Sequence, residues 1–130
     1  MALAKTLYPH ETLPDAVYAL VVKDIDAKMS DEKSAELVKG GVARLNQAAD
    51  GKWASATGAQ RTAIVTAQQA DPFVQLVRAQ CITSLYNNDM AFAHFGYEGE
   101  AFSKGGYVHR GFNDLTWLPN PPADASPPVA

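Results

Sequence analysis

At 130 residues, with 47% hydrophobic and 19% charged residues, the chain has the length and composition of one globular domain with fewer solvating charges than usual. A formal net charge of −3, with the basic residues scattered, excludes the concentrated positive field needed by nucleic-acid binders and basic membrane-surface helices. The single cysteine, Cys81, excludes an intrachain disulfide and a cysteine-based zinc site, and no apolar run approaches the roughly 20 residues of a membrane span.

The first predicted helix opens at Leu13-Pro14-Asp15, where proline and a carboxylate suit a first turn, and continues through Val17, Leu20, Val21 and Ile25 to about Met29. Ser30 is the expected cap of a second helix, in which Ala35, Val38, Val42, Leu45 and Ala49 form a narrow apolar stripe. Gly40-Gly41 weakens that helix by roughly 2 kcal/mol relative to alanine, so either another backbone approaches closely there or the helix bends. Thr57 with Gln60 reads as a capping box opening a third helix to about Gln69. Asp71-Pro72 starts a fourth, whose apolar residues from Phe73 to Tyr86 surround most of its circumference and mark it as the centre of the core. Asn87-Asn88-Asp89 stops it, and a short helical turn from Met90 to Phe95 precedes Gly96. The expected fold is all-α, a small domain of four to five helices.

From Gly96 onward the character changes. Residues 96–130 hold five of the nine glycines and five of the eight prolines, yet also Tyr97, Phe102, Tyr107, Phe112 and Trp117. Flexible linkers lack aromatic residues because they have nothing to bury, so this irregular segment is expected to be ordered against something. Residues 1–119 are read as one domain, with 96–119 as its partner-contacting segment and 120–130 as a proline-rich tail.

The inventory of reactive groups is thin. His10, His94 and His109 form no short-range metal pair. Asp24 and Asp26 cannot share a helix face, Asp31-Glu32 suits a helix dipole, and Cys81 is placed as a small core hydrophobe. Trp53 reads as an anchor ring at a helix end. No glycine pattern follows a predicted strand, which leaves no phosphate cradle. No catalytic, metal or cofactor-binding residue is assigned, and the chain is expected not to be an enzyme. Tyr97, Tyr107, His109, Arg110, Phe112 and Trp117 are the candidate interface residues, since tyrosine, tryptophan, phenylalanine and arginine combine large contact area with a polar handle. The competing expectation is that this segment packs on its own helices, with Arg110 pairing Asp114.

Leu85-Tyr86-Asn87-Asn88, then Phe95-Gly96-Tyr97-Glu98-Gly99, Gly105-Gly106-Tyr107-Val108-His109-Arg110-Gly111-Phe112 and Trp117-Leu118-Pro119, resemble the gluconate 2-dehydrogenase subunit 3 family. The resemblance covers residues 72–119, with Tyr8-Pro9-His10 and Leu13-Pro14-Asp15 similar to the family's N-terminal region. It implies a non-catalytic small subunit that binds, stabilises and helps mature or export an FAD-containing catalytic subunit of the glucose-methanol-choline type. A cytochrome subunit carrying haem c often completes such complexes, and the small subunit holds no cofactor of its own. It also implies a periplasmic location, although the twin-arginine signal common in the family is not in this sequence, which keeps a cytoplasmic location open. Two other classes stand beside this one: a free-standing helical adaptor, which requires an exposed apolar groove between helices, and a small histidine-dependent enzyme, which requires His94, His109 and an acid to converge.

Overall fold

The computed structural model describes residues 1–109, 119 and 122–125. The chain divides into two compact units, Met1–Glu98 and Gly99–Ala130. The first holds six α-helices: α1 (Ala2–Leu7), α2 (Asp15–Lys28), α3 (Glu32–Ala48), α4 (Gly58–Ala67), α5 (Pro72–Tyr86) and α6 (Asp89–Phe95). No strand occurs among the described residues, and the all-helical class is the one the apolar periodicity requires.

Local chemistry sets most of the helix starts. Thr57 accepts from the Gln60 backbone while the Gln60 side chain accepts from the Thr57 N–H, so the reciprocal capping box fixes α4. Asp71 accepts from Phe73 N at 2.8 Å with Pro72 in the first turn of α5, and Asn88 accepts from Ala91 N at 2.9 Å to open α6. The cap of α3 is Asp31, which accepts from Ser34 N at 2.9 Å; the expected cap, Ser30, instead donates back to Ala27 O at the end of α2. A carboxylate gains from the helix dipole as well as from the hydrogen bond, which favours aspartate over the neighbouring serine. Helix α1 was not expected, because six residues show too little periodicity to register and Met1 provides no side-chain cap.

The core gathers on α5. That helix packs against α1, α2, α3 and α6, most extensively against α2. Val17 and Val21 of α2 and Cys81 and Leu85 of α5 are fully enclosed. Burial on α5 is nevertheless confined to Phe73, Val74, Val77, Cys81, Ser84 and Leu85, while Ala79 and Ile82 face solvent. The wrap-around apolar pattern thus overstates its enclosure. A polar clamp fastens α2 to α5: Ser84 Oγ donates to Asp24 Oδ2 at 2.5 Å and receives the Gln80 amide at 2.6 Å. The serine hydroxyl is buried with both its donor and acceptor capacity used, so it fixes register without a desolvation penalty.

At the Gly40-Gly41 pair the nearest neighbours are side chains. A β-carbon on Gly41 would lie 2.1 Å from Phe73 Cγ, so the close approach is made by the Phe73 side chain. A β-carbon on Gly40 would lie 3.2 Å from the Arg44 guanidinium.

Candidate partner interface

Three links hold the Phe73 ring on α3. Asp71 caps α5 two residues before it, and Arg44, three residues after Gly41, grips the same carboxylate with two parallel bonds, Nε to Oδ2 at 2.6 Å and a second nitrogen to Oδ1 at 3.1 Å. The Arg44 guanidinium beside it holds the Asp71 carboxyl below the usual carboxylate range, with the Phe73 backbone N–H adding to the effect. The bidentate geometry fixes the start of α5 against α3, with Phe73 over Gly41, whose missing β-carbon makes room for it.

Phe73 then forms the floor of an apolar cleft between α1, α2, α3 and α5. One hollow of about 190 Å³ is bounded by Val22, Ile25, Met29 and Val42 around the rim, with Leu3 and Val77 deeper. A second, of about 210 Å³, adjoins it through Met1, Leu3, Val42 and Phe73 and ends against Leu45 and Trp53. The helical pattern explains why the surface is open. On α2, Val17 and Val21 face inward, whereas Val22, Ile25 and Met29 form an adjacent stripe with only partial cover, and on α3 Val38 and Leu45 are buried while Val42 between them is 44% exposed. Asp26 is the one charged side chain lining the two hollows. Trp53 closes one end, with Arg61 over its ring and donating to Trp53 O and Ala54 O; it is an anchor ring, as its position after Asp50-Gly51-Lys52 implies.

The second unit presents a different surface. Glu100 accepts from Phe102 N at 2.7 Å and Ser103 N at 3.4 Å, starting a single 3₁₀ turn over Phe102–Lys104. Its carboxyl is held below the ordinary range by hydrogen bonds to Ser103 and to the Phe102 backbone. Gly105 and Gly106 both adopt positive φ, 83° and 71°, and Gly106 N closes the turn on Ala101 O at 2.8 Å. At this turn Phe102 is 92% exposed, Tyr107 61% and Val108 72%.

Of the residues expected to meet a partner, Tyr97 belongs to the first unit, half exposed, its ring edge-on to Phe92 at 4.9 Å after the left-handed Gly96. Tyr107 and His109 belong to the second unit and are exposed. Arg110, Phe112 and Trp117, and with them the Arg110–Asp114 pairing, lie outside the described residues.

Two histidines converge, though not as a reactive pair. His10 Nε2 is 2.7 Å from the Tyr86 hydroxyl, and its backbone N–H reaches Tyr18 Oη, which in turn donates to Tyr8 O. His94 shares a 3.2 Å bond with Thr12, and both imidazoles stand edge-on to Phe95. The Tyr86 hydroxyl is pushed above its usual range, chiefly by burial and then by the neighbouring Tyr8 and Tyr18. No carboxylate takes part, and no group of three metal-binding side chains exists among the described residues. This network ties the segment between α1 and α2 to α5 and α6. Asp24 and Asp26 diverge, one into the Ser84 clamp and one to the cleft, and Cys81 is enclosed, burial raising its thiol to about 11.

Sequence reasoning missed the cleft because Val22, Ile25, Met29 and Val42 have the same helical spacing as core residues. Nothing in the sequence separates these partly covered positions from the buried ones beside them, Val21 and Val38. No family model matches the chain, and no curated protein or solved structure does either.

Proposed function

We propose that this chain is a non-catalytic small subunit that binds and stabilises a larger catalytic partner. The observation that carries this reading is the open apolar cleft over Phe73, where Val22 and Val42 are 40% and 44% exposed on helices that have core to spare. Contiguous apolar surface left in water costs roughly 25 cal/mol per Å², and a surface kept in that state is suited to being covered. The exposed Phe102, Tyr107 and Val108 around a glycine turn supply a second contact of the aromatic type favoured at interfaces.

The partner's identity rests on the resemblance of residues 72–119 to the gluconate 2-dehydrogenase subunit 3 family. On that basis the partner is an FAD-containing sugar or alcohol dehydrogenase subunit of the glucose-methanol-choline type, with a haem c subunit as a further component and the periplasm as the site of assembly. The flavin belongs to the partner, and the small subunit contributes contact area and no step of hydride transfer.

Affinity purification of the full chain from its host, followed by an absorbance spectrum, tests the reading. A one-to-one complex with flavin bands near 370 and 450 nm, roughly as oxidised flavoproteins show, is the expected result. A stoichiometric flavin on the isolated chain, or recovery without a flavoprotein, overturns it. The cleft also favours a second reading, a free-standing adaptor that takes an amphipathic helix into the groove between α2 and α3. That reading requires a stable soluble monomer that binds such helical peptides in the absence of any flavoprotein.

A further inference from the structure

A hollow of different chemistry shares no lining residue with the apolar cleft. It measures about 300 Å³ and sits where the end of α1, the end of α4 and the first half of α5 meet. Leu7, Val65 and Val74 give it an apolar wall, and Tyr8, Gln69 and Arg78 line it with polar groups. Its two remaining lining residues are engaged: Thr66 donates to Thr62 O and the Gln75 amide to Gln69 O.

The donors are unbalanced. No carboxylate lines the hollow. Of the three described arginines, Arg44 is taken up by Asp71 and Arg61 by two carbonyls, while Arg78 has no acceptor among the described residues. Neither the Tyr8 hydroxyl nor the Gln69 side chain has a described partner, whereas the Tyr8 carbonyl is occupied by Tyr18. A planar guanidinium beside two neutral hydrogen-bonding groups suits a planar anion that accepts two parallel bonds, and one cation matches one negative charge. The apolar wall favours a ligand with a small hydrophobic body behind that anion, and the volume is at the small end of the range for ligand sites.

We propose that this hollow binds a small organic monocarboxylate, its carboxylate on Arg78 and its apolar body against Leu7, Val65 and Val74. The site shares no lining residue with the cleft over Phe73, and it stands whether or not the chain is a dehydrogenase subunit.

Benzoate and its neutral isostere benzamide are suitable probes, titrated into the full chain with methyl and guanidinium resonances followed by NMR. The expected result is saturable shifts at Val65, Val74 and the Arg78 Nε–H with benzoate, corresponding to a dissociation constant of about 1–10 mM. Benzamide should bind at least about tenfold more weakly, and Arg78→Gln should weaken benzoate by a similar factor while leaving resonances elsewhere in place. Because Arg78 is exposed, its replacement leaves the core intact. Equal shifts with both probes, absence of saturation by about 50 mM, or unchanged benzoate binding in Arg78→Gln would each overturn the proposal.

Discussion

Gly41 carries the most exacting requirement on any single residue. The ring of Phe73 occupies the space of its absent β-carbon, so Gly41→Ala forces ring and helix apart despite alanine's better helix propensity. The expected cost is about 1–3 kcal/mol, measured by urea unfolding, and Phe73→Leu in the same chain should recover part of it through a non-additive coupling. A neutral or stabilising Gly41→Ala would show that the ring does not rest there. Gly40→Ala, which meets the Arg44 guanidinium at 3.2 Å instead of a ring at 2.1 Å, is the comparison and should cost less than Gly41→Ala. The glycine pair was legible in the sequence as an anomaly of α3, but its cause was not, because the ring that fills it comes from 32 positions away (73 − 41). Cys81 gives a second test at this scale. With its thiol near 11 and fully enclosed, only about one molecule in a thousand carries thiolate at pH 8, so a disulfide reagent should label the native chain slowly and the urea-unfolded chain at once. Rapid native labelling would contradict its enclosure.

Among the elements, α5 depends on the Asp71 carboxylate for both its cap and its clamp to α3. Asp71→Ala removes the cap and leaves Arg44 without a partner; an unfolding shift of about 1–2 kcal/mol is expected. Arg44→Ala should cost less, since its side chain is nearly half exposed and surface pairs contribute little. The Asp71 carboxyl is depressed in the folded chain, so the unfolded chain binds the proton more readily. Its stabilising contribution is therefore present above the usual carboxylate value near 4 and fades as pH falls through the lower folded value. Below about pH 4, the stability gap between the native chain and Asp71→Ala should shrink, and a gap that is constant or widens there would refute the assignment. Helix starts were the most legible part of the fold, because Thr57/Gln60 and Asp71-Pro72 make bonds within three residues. Helix α1 was not legible: Leu3 and Ala4 are buried only because distant helices cover them. Ser30 and Asp31 offered two adjacent capping groups, and the sequence could not rank them.

For the molecule as a whole, the assembly proposal separates binding from catalysis. Val42→Asp places a charge in the cleft at a half-exposed position, so the fold should survive while recovery of the flavoprotein complex falls severalfold. Replacing Phe112 or Trp117 with alanine should likewise reduce the yield of assembled enzyme and leave turnover per flavin nearly unchanged. A loss of about a hundredfold in turnover per flavin, equivalent to about 2.7 kcal/mol of transition-state stabilisation, would place that segment at the chemistry. The interface residues named from sequence were legible only as composition, an excess of rings among glycines; under the proposed assembly their arrangement would depend on the partner. The position of α1 also sets an order of events. Its neighbours α4 and α5 lie some 50 to 80 residues further along the chain, so at a synthesis rate of about 5–20 residues per second α1 waits several seconds for the surfaces that bury Leu3 and Ala4. The apolar cleft shares this delay, because its floor, Phe73 and Val77, belongs to α5 and part of its wall, Leu3, to α1. The docking of α1 is therefore the step that both buries Leu3 and Ala4 and completes the wall of the cleft.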